Sequence, residues 1–241
     1  MKYLNRLTRI AVTAATAAVV MFAHSAQAQW WKLQHGNLSA GGTGQFSTIL
    51  TQNPTTYYPV TAGAPSVPNT TYTTQQRQDT TWSAGVVGSL QLYPVSWAGV
   101  QVNYGFTHYQ ERFSYNFTGN PAAGTQHYNV PVDTHEMTAG YLIHPKHIPF
   151  QPYIVIGGGA LYFSPHGNGT NNYLITTSSP QWRGAGLLET GFDIPTSSKH
   201  VGFRISGRSL YYRSPNFNTA SISTRSWRVT TEPAVSVYYK F

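Results

Sequence analysis

The feature that most limits how this chain can fold is a rhythm. Eight stretches of alternating residues are joined by connections that run long, short, long, short, long, short, long. The stretches are Leu38–Phe46, Thr80–Leu92, Trp97–Glu111, Val132–Ile143, Phe150–Ser164, Trp182–Ile194, Val201–Arg213 and Trp227–Phe241. In most of them apolar side chains recur at every second position. That is the period of a strand, whose side chains point to opposite faces in turn. Val201, Phe203, Ile205 and Tyr211 stand against Arg204, Ser206 and Arg208. Val100, Val102, Tyr104 and Phe106 stand against Gln101, Asn103 and Thr107. The stretch Phe150–Ser164 is apolar and Gly-rich on both faces, so its inward face stays unassigned. The long connections, 49–78, 113–131, 165–181 and 214–226, are rich in Thr, Pro, Asn and Gly and read as exposed loops.

An even number of strands with alternating short turns and long loops is the layout of a barrel that crosses a membrane with both termini on one side. Composition agrees. Soluble domains carry about 25% charged residues; this chain has 9%, with 14% aromatic and 17 Tyr. Mean hydropathy is −0.29, as expected when greasy and polar faces average out. Past the first residues, the longest apolar run, Ile154–Phe163, is about half of what a membrane-spanning helix needs. With no Cys, neither disulfides nor thiol chemistry enter.

The start of the chain reads as a secretory signal peptide over residues 1–28. Lys2, Arg6 and Arg9 precede an apolar run Ile10–Ala23, and Ala26-Gln27-Ala28 is a small-x-small cleavage site. Residues 29–36 form a short lead, and 37–241 the barrel. The chain's net charge is +8, of which the first 28 residues supply +3, leaving +5 for the exported part. That surplus has no Lys/Arg-rich run, so nucleic acid is not expected as a partner. It suits an anionic surface such as lipopolysaccharide.

The last stretch places Val235, Val237, Tyr239 and Phe241 on one face and stops on an aromatic residue. With the signal peptide and the loop rhythm, Val-Ser-Val-Tyr-Tyr-Lys-Phe241 resembles the small eight-stranded outer-membrane β-barrels, the OmpA/OmpX-like family. The resemblance covers nearly the whole exported chain. It implies an all-β, antiparallel up-and-down transmembrane barrel in the bacterial outer membrane. It also implies that the terminal strand is what the barrel-assembly machinery recognises. Larger members add a peptidoglycan-binding domain after the barrel; no such domain is expected here.

A barrel of eight strands is just wide enough for side chains to fill. Parity directs Glu111, Glu136, Arg183, Glu189, Asp193, Arg204, Arg208, Arg228 and Glu232 inward, where charges must pair. A register drawn from the turns sets Glu189 opposite Ser206, with Arg204 and Arg208 diagonal to it and Arg208 near Glu232. It predicts a Glu189–Arg208–Glu232 cluster that plugs the lumen. Trp82, Trp97, Tyr104, Tyr153, Trp182, Phe192, Tyr211 and Trp227 fall near strand ends and are expected to form aromatic girdles.

Three functions are open to such a chain. The first is a structural or surface-interaction barrel acting through its outward loops, with Tyr57, Tyr58 and Tyr72 in the first of them. The second is a narrow channel for small solutes or ions; the third, a lipid-modifying enzyme. The first is preferred. His108 and His135 fall on the lipid side near the outer rim, but no His-x-Ser spacing follows the signal peptide. Neither catalytic, cofactor nor metal residues are expected. A monomer among lipids and lipopolysaccharide is, with its extracellular ligand left open.

Overall fold

A strand with one greasy and one polar face is stable only where each face meets its own solvent, and a barrel gives it both. The computed structural model describes residues 35–49, 56–58, 72–118, 125–145, 150–166, 179–217 and 226–241. The expected signal peptide and lead, up to residue 34, lie outside this set. The strands are β1 (His35–Ile49), β2 (Thr56–Tyr58), β3 (Tyr72–Thr80), β4 (Ser83–Val95), β5 (Ala98–Thr118), β6 (Thr125–Ile143), β7 (Pro152–Pro165), β8 (Gln181–Pro195), β9 (Val201–Arg213) and β10 (Trp227–Lys240).

Eight staves close into an antiparallel ring. The ring runs β1, β4, β5, β6, β7, β8, β9, β10 and back to β1. β1 and β10 pair from Asn37↔Lys240 to Ile49↔Arg228. Gly36 and Phe241 complete the seam, exchanging backbone hydrogen bonds of 3.0 and 2.9 Å. No unpaired edge is left in the ring, which removes the hazard of an open sheet.

β3 and β4 are one stave broken by a bulge. Both pair with β5, as Thr80↔Glu111 and Gly85↔Thr107, so one extra residue lies between them. The inward positions shift from even, at Gln78, to odd, at Val87, Ser89 and Gln91. Among the described residues β2 pairs only with β3.

The outer wall is apolar. Leu38, Phe46, Val86, Val102, Met137, Ile156, Leu188, Phe203, Ile205, Val235 and Val237 are all exposed on it. The inner wall carries Gln91, Gln101, Asn103, Thr107, Thr138, Ser206 and all the inward charges but Arg183, each of them buried. Lipid outside and a polar lumen are the two solvents such a wall requires.

Two loop expectations need correction. The stretch 49–78 contains β3, and 113–131 contains the ends of β5 and β6. β5 has 21 residues and β6 has 19, and they stay paired out to Asn116↔Thr125. The missed segments are polar on both faces, as in Gln75-Gln76-Arg77-Gln78-Asp79. Above the membrane neither face needs grease, so the alternation that marks the barrel stops while the pairing continues.

Candidate functional site

The register of β8, β9 and β10 builds a charged lumen in three layers. The β8–β9 turn centres between Ser198 and Lys199, because Pro195 pairs with Gly202. This sets Glu189 directly opposite Arg208, two residues from the Ser206 position expected from sequence. β10 sets Glu232 opposite the same Arg208.

Near the short-turn end, Arg204 Nε donates to Asp193 Oδ1 at 2.6 Å and Nη2 to Oδ2 at 2.8 Å. Its Nη1 donates to Ser39 Oγ at 3.1 Å. The guanidinium lies 5.2 Å from the Tyr153 ring centre and 5.6 Å from that of Tyr238. A forked, planar cation suits this double use of edge and face. The close approach needs Gly202, where a Cβ would come within 2.3 Å of the Tyr238 ring.

In the middle layer, Arg208 Nη2 pairs with Glu136 Oε1. Its Nη1 is 3.3 Å from Glu232 Oε2, and its Nε 3.3 Å from Glu189 Oε2. Glu189 also accepts from Tyr153 and from Gln101 Nε2, each at 2.8 Å. Glu136 packs over Gly105, where a Cβ would come within 3.1 Å of Oε2.

Toward the long-loop end, Arg228 donates through Nη1 to Glu111 Oε2 at 3.0 Å and through Nη2 to Oε1. Gln78 Nε2 donates to Glu111 Oε1 at 2.7 Å and to the Pro215 carbonyl at 2.8 Å. Above this layer the lumen turns apolar, with Phe113, Phe163, Phe217, Val130 and Val132 packed together. Phe217 has φ 49°, an uncommon conformation for a side chain of its size. It meets Phe113 edge-on at 6.4 Å.

Eight of the nine inward charges named from the sequence are thus buried and ion-paired. Arg183 is the ninth. It is half-buried at the outer end of β8, where its Nη2 donates to Asn216 Oδ1 at 3.0 Å and, among the described residues, no carboxylate pairs with it. Of the named aromatics, Trp82, Trp97, Tyr104, Trp182, Phe192, Tyr211 and Trp227 are exposed on the wall, as are Val235, Val237, Tyr239 and Phe241. Tyr153 is the exception and is only 1% exposed. It faces the lumen because the odd positions of β7 point inward, and its hydroxyl finds Glu189 there. Gln91 and Gln101 lie on the polar faces that the alternation assigns, but their part in the ion-pair network was not read from it. Gln78 was missed, because its neighbours Arg77 and Asp79 are polar and no alternation marks its inward face.

A second cluster lies outside the barrel at the upper rim of the apolar wall. Asp133 accepts from His108 Nδ1 at 2.6 Å and from His166 Nε2 at 2.5 Å. His135 Nδ1 is 2.8 Å from the Tyr104 hydroxyl. His127 Nδ1 lies 3.0 Å from Ser114 Oγ, and among the described residues no carboxylate is bonded to that histidine. Nor do any three His, Cys, Asp or Glu side chains among them converge as metal ligands.

Fold and site together define a small closed barrel, greasy outside and charged within. No family model and no curated protein matches the sequence. Several solved outer-membrane barrels resemble the fold. OprG from Pseudomonas aeruginosa shares 12% identity, with 86% of this chain and 95% of that one covered at a TM-score of 0.46. Ail, the attachment invasion locus protein of Yersinia pestis, solved with the heparin analogue sucrose octasulfate, shares 10%, with 86% and 98% covered at 0.44. AlkL, solved in lipid bilayers, shares 14%, with 86% and 90% covered at 0.40.

Proposed function

We propose that this protein is an outer-membrane barrel with a structural and surface-interaction role, its cylinder sealed and its outward sheet the contact surface. The observation that carries the reading is the filled lumen. Arg204, Arg208 and Arg228 are each bridged to carboxylates from other strands, and the Phe113–Phe163–Phe217 layer lies over them. A solute would have to break buried ion pairs, and leaving one partner unpaired costs about 3–5 kcal/mol.

The contact surface is the part of the sheet that outgrows the membrane. A tilted strand crosses with about 9–11 residues, whereas β5 has 21. At about 3.3 Å per residue, roughly half of β5 and its partners stands clear of the hydrocarbon. Membrane lipid and lipopolysaccharide surround the wall. The Val235–Phe241 strand is the segment offered to the assembly machinery during insertion.

Planar-bilayer conductance tests the sealed cylinder. The intact protein is expected to give no steady current, and an open level in every insertion would end this reading. Glu189→Ala with Arg208→Ala is expected to admit small ions if the middle layer is part of the seal. Binding to host cells or phage, with and without the outward sheet, tests the contact role. Lipid modification has less support: among the described residues no hydroxyl is bonded to the His108 and His166 that hold Asp133, and no carboxylate to the His127 that meets Ser114. A lost acyl chain in lipid A mass spectra would overturn that judgement.

A further inference from the structure

Two features of the outer wall lie one above the other on β5 and β6, and neither belongs to the lumen. The lower is a hollow. A groove of about 620 Å³ opens where Gly88, Ala139 and Gly158 present little or no side chain to the lipid, among Leu38, Leu90 and Met137. At this level Val102 stands opposite Ala139. Six residues further along both strands, His108 stands opposite Asp133. At about 3.3 Å per residue and a tilt of about 40°, that is roughly 15 Å of depth. It is about half the thickness of a hydrocarbon core. The groove therefore lies among acyl chains and the His108 row among headgroups, where an outer wall tolerates charge.

The upper feature has two cationic points. At the first, Asp133 holds His108 by Nδ1 and His166 by Nε2, which leaves each ring its second nitrogen. Among the described residues neither of those nitrogens is bonded, and the side chains are 59% and 54% exposed. The second point is Arg112, four residues beyond His108 on the same face. Arg112 is exposed, and among the described residues no carboxylate pairs with it. Asp79 stands opposite it on β3 and lies 3.7 Å from Arg77 Nε, so two arginines share one carboxylate at this level. The two points are about 13 Å apart along β5. With both rings protonated, each carries one net positive charge.

We propose that this face seats one molecule of the lipid anchor of lipopolysaccharide, a saccharide with a phosphate at each end and several acyl chains. The chains fill the groove. One phosphate meets the free nitrogens of His108 and His166, and the other meets Arg112 and Arg77. A phosphate favours the doubly protonated imidazole, which then donates to it while its other nitrogen keeps Asp133. A guanidinium takes phosphate through two parallel hydrogen bonds. A phospholipid brings one phosphate and reaches only one of the two points. Such a seat presupposes the outer-membrane role proposed above, because the long-loop end must face the leaflet that holds this lipid.

The test uses the full chain refolded in neutral detergent micelles, with folding checked by mobility on unheated gels. Native mass spectrometry then counts the lipids retained. One lipid A carrying two phosphates should stay on each barrel, and its one-phosphate form should bind about tenfold more weakly, a difference of ~1.4 kcal/mol. Phosphatidylglycerol should bind more weakly still, and inorganic phosphate at matched ionic strength should displace nothing. Arg112→Gln should lower affinity for the two-phosphate form about tenfold and leave the one-phosphate form nearly unchanged. Gly88→Leu with Ala139→Leu changes no charge and should weaken both forms by filling the hollow. A Cβ at Gly88 meets nothing nearer than 3.7 Å, so the barrel can accept it. Equal retention of lipid A and phosphatidylglycerol would reduce the face to ordinary lipid solvation and overturn the proposal. Retention that either variant leaves unchanged, or that inorganic phosphate abolishes, overturns it too. A folded barrel that keeps no lipid A sinks this seat alone, whereas a chain that neither folds in micelles nor enters bilayers sinks the outer-membrane reading with it.

Discussion

Arg228 and Glu111 are both fully buried, and their two-point contact leaves only Arg228 Nε without a partner. Such a pair is poor evidence of stability in itself, yet breaking it is costly. Arg228→Met should therefore lower stability by about 3–5 kcal/mol, while Arg228→Met with Glu111→Gln should recover most of that loss. Urea titration in micelles, followed by tryptophan fluorescence, measures both; equal losses in the single and double variants would refute the argument. A different dependence belongs to His35, below the apolar belt at the short-turn mouth. It stacks on Tyr93 at 4.4 Å. Burial first, then Lys240 and His144, push it down to about 4. The unfolded chain takes up that proton more readily than the folded one, so this contribution to stability is complete above about pH 6.5 and fades as pH falls toward 4. His35→Gln should flatten the urea midpoint across that window, and an unchanged slope would show that His35 is not responsible.

At the scale of the strand, what the sequence revealed depended on which solvents a segment meets. β9 and β10 lie between lipid and lumen for their whole length, so their alternation is unbroken and their limits could be read closely. β3 could not be read, because it pairs above the membrane with polar residues on both faces. The extra residue between Thr80 and Gly85 also breaks the period where β3 joins β4. In β7, Gly157-Gly158-Gly159 offers no side chains to fix a face. From the sequence, Tyr153 therefore reads as a girdle residue by its place near a strand end. The register slip at Arg208 has another cause. Parity survives a shift of two residues, and only the turn, whose centre is not marked in sequence, decides between them. Depth along β10 gives a test of the wall. Val235, in the belt, should cost about 2–4 kcal/mol when changed to Arg, and Tyr239, at the rim, about 0–1 kcal/mol. Refolding titrations into thin bilayers would show this, and equal penalties at both sites would mean that the wall does not face hydrocarbon.

Across the whole molecule, the cylinder and the projecting sheet are separable, because they draw on different contacts. The cylinder is held by a closed ladder and by ion pairs that reach across the lumen. The projecting sheet depends on the pairing of β3, β5 and β6 beyond the belt, where Arg77 pairs with Ser114 and Ser114 with His127. Phe113 stands directly opposite Tyr128, so an Asn-Gly turn can join them and remove residues 114–127 without disturbing the register below. Phe113 stays in the apolar layer, and Glu111 keeps Arg228. β3 loses its partners from Thr73 to Arg77 and retains only those from Gln78 onward. The shortened chain should still migrate as a folded barrel on unheated gels, unfold near the parent's midpoint and carry no current. It should also lose whatever surface binding the parent has. If it failed to fold, β5 and β6 would have to zip from their outer ends, and the long hairpin would belong to the folding of the cylinder. If it folded and bound as before, the contact surface would lie elsewhere, with the Asp133 histidine cluster at the rim the next place to cut.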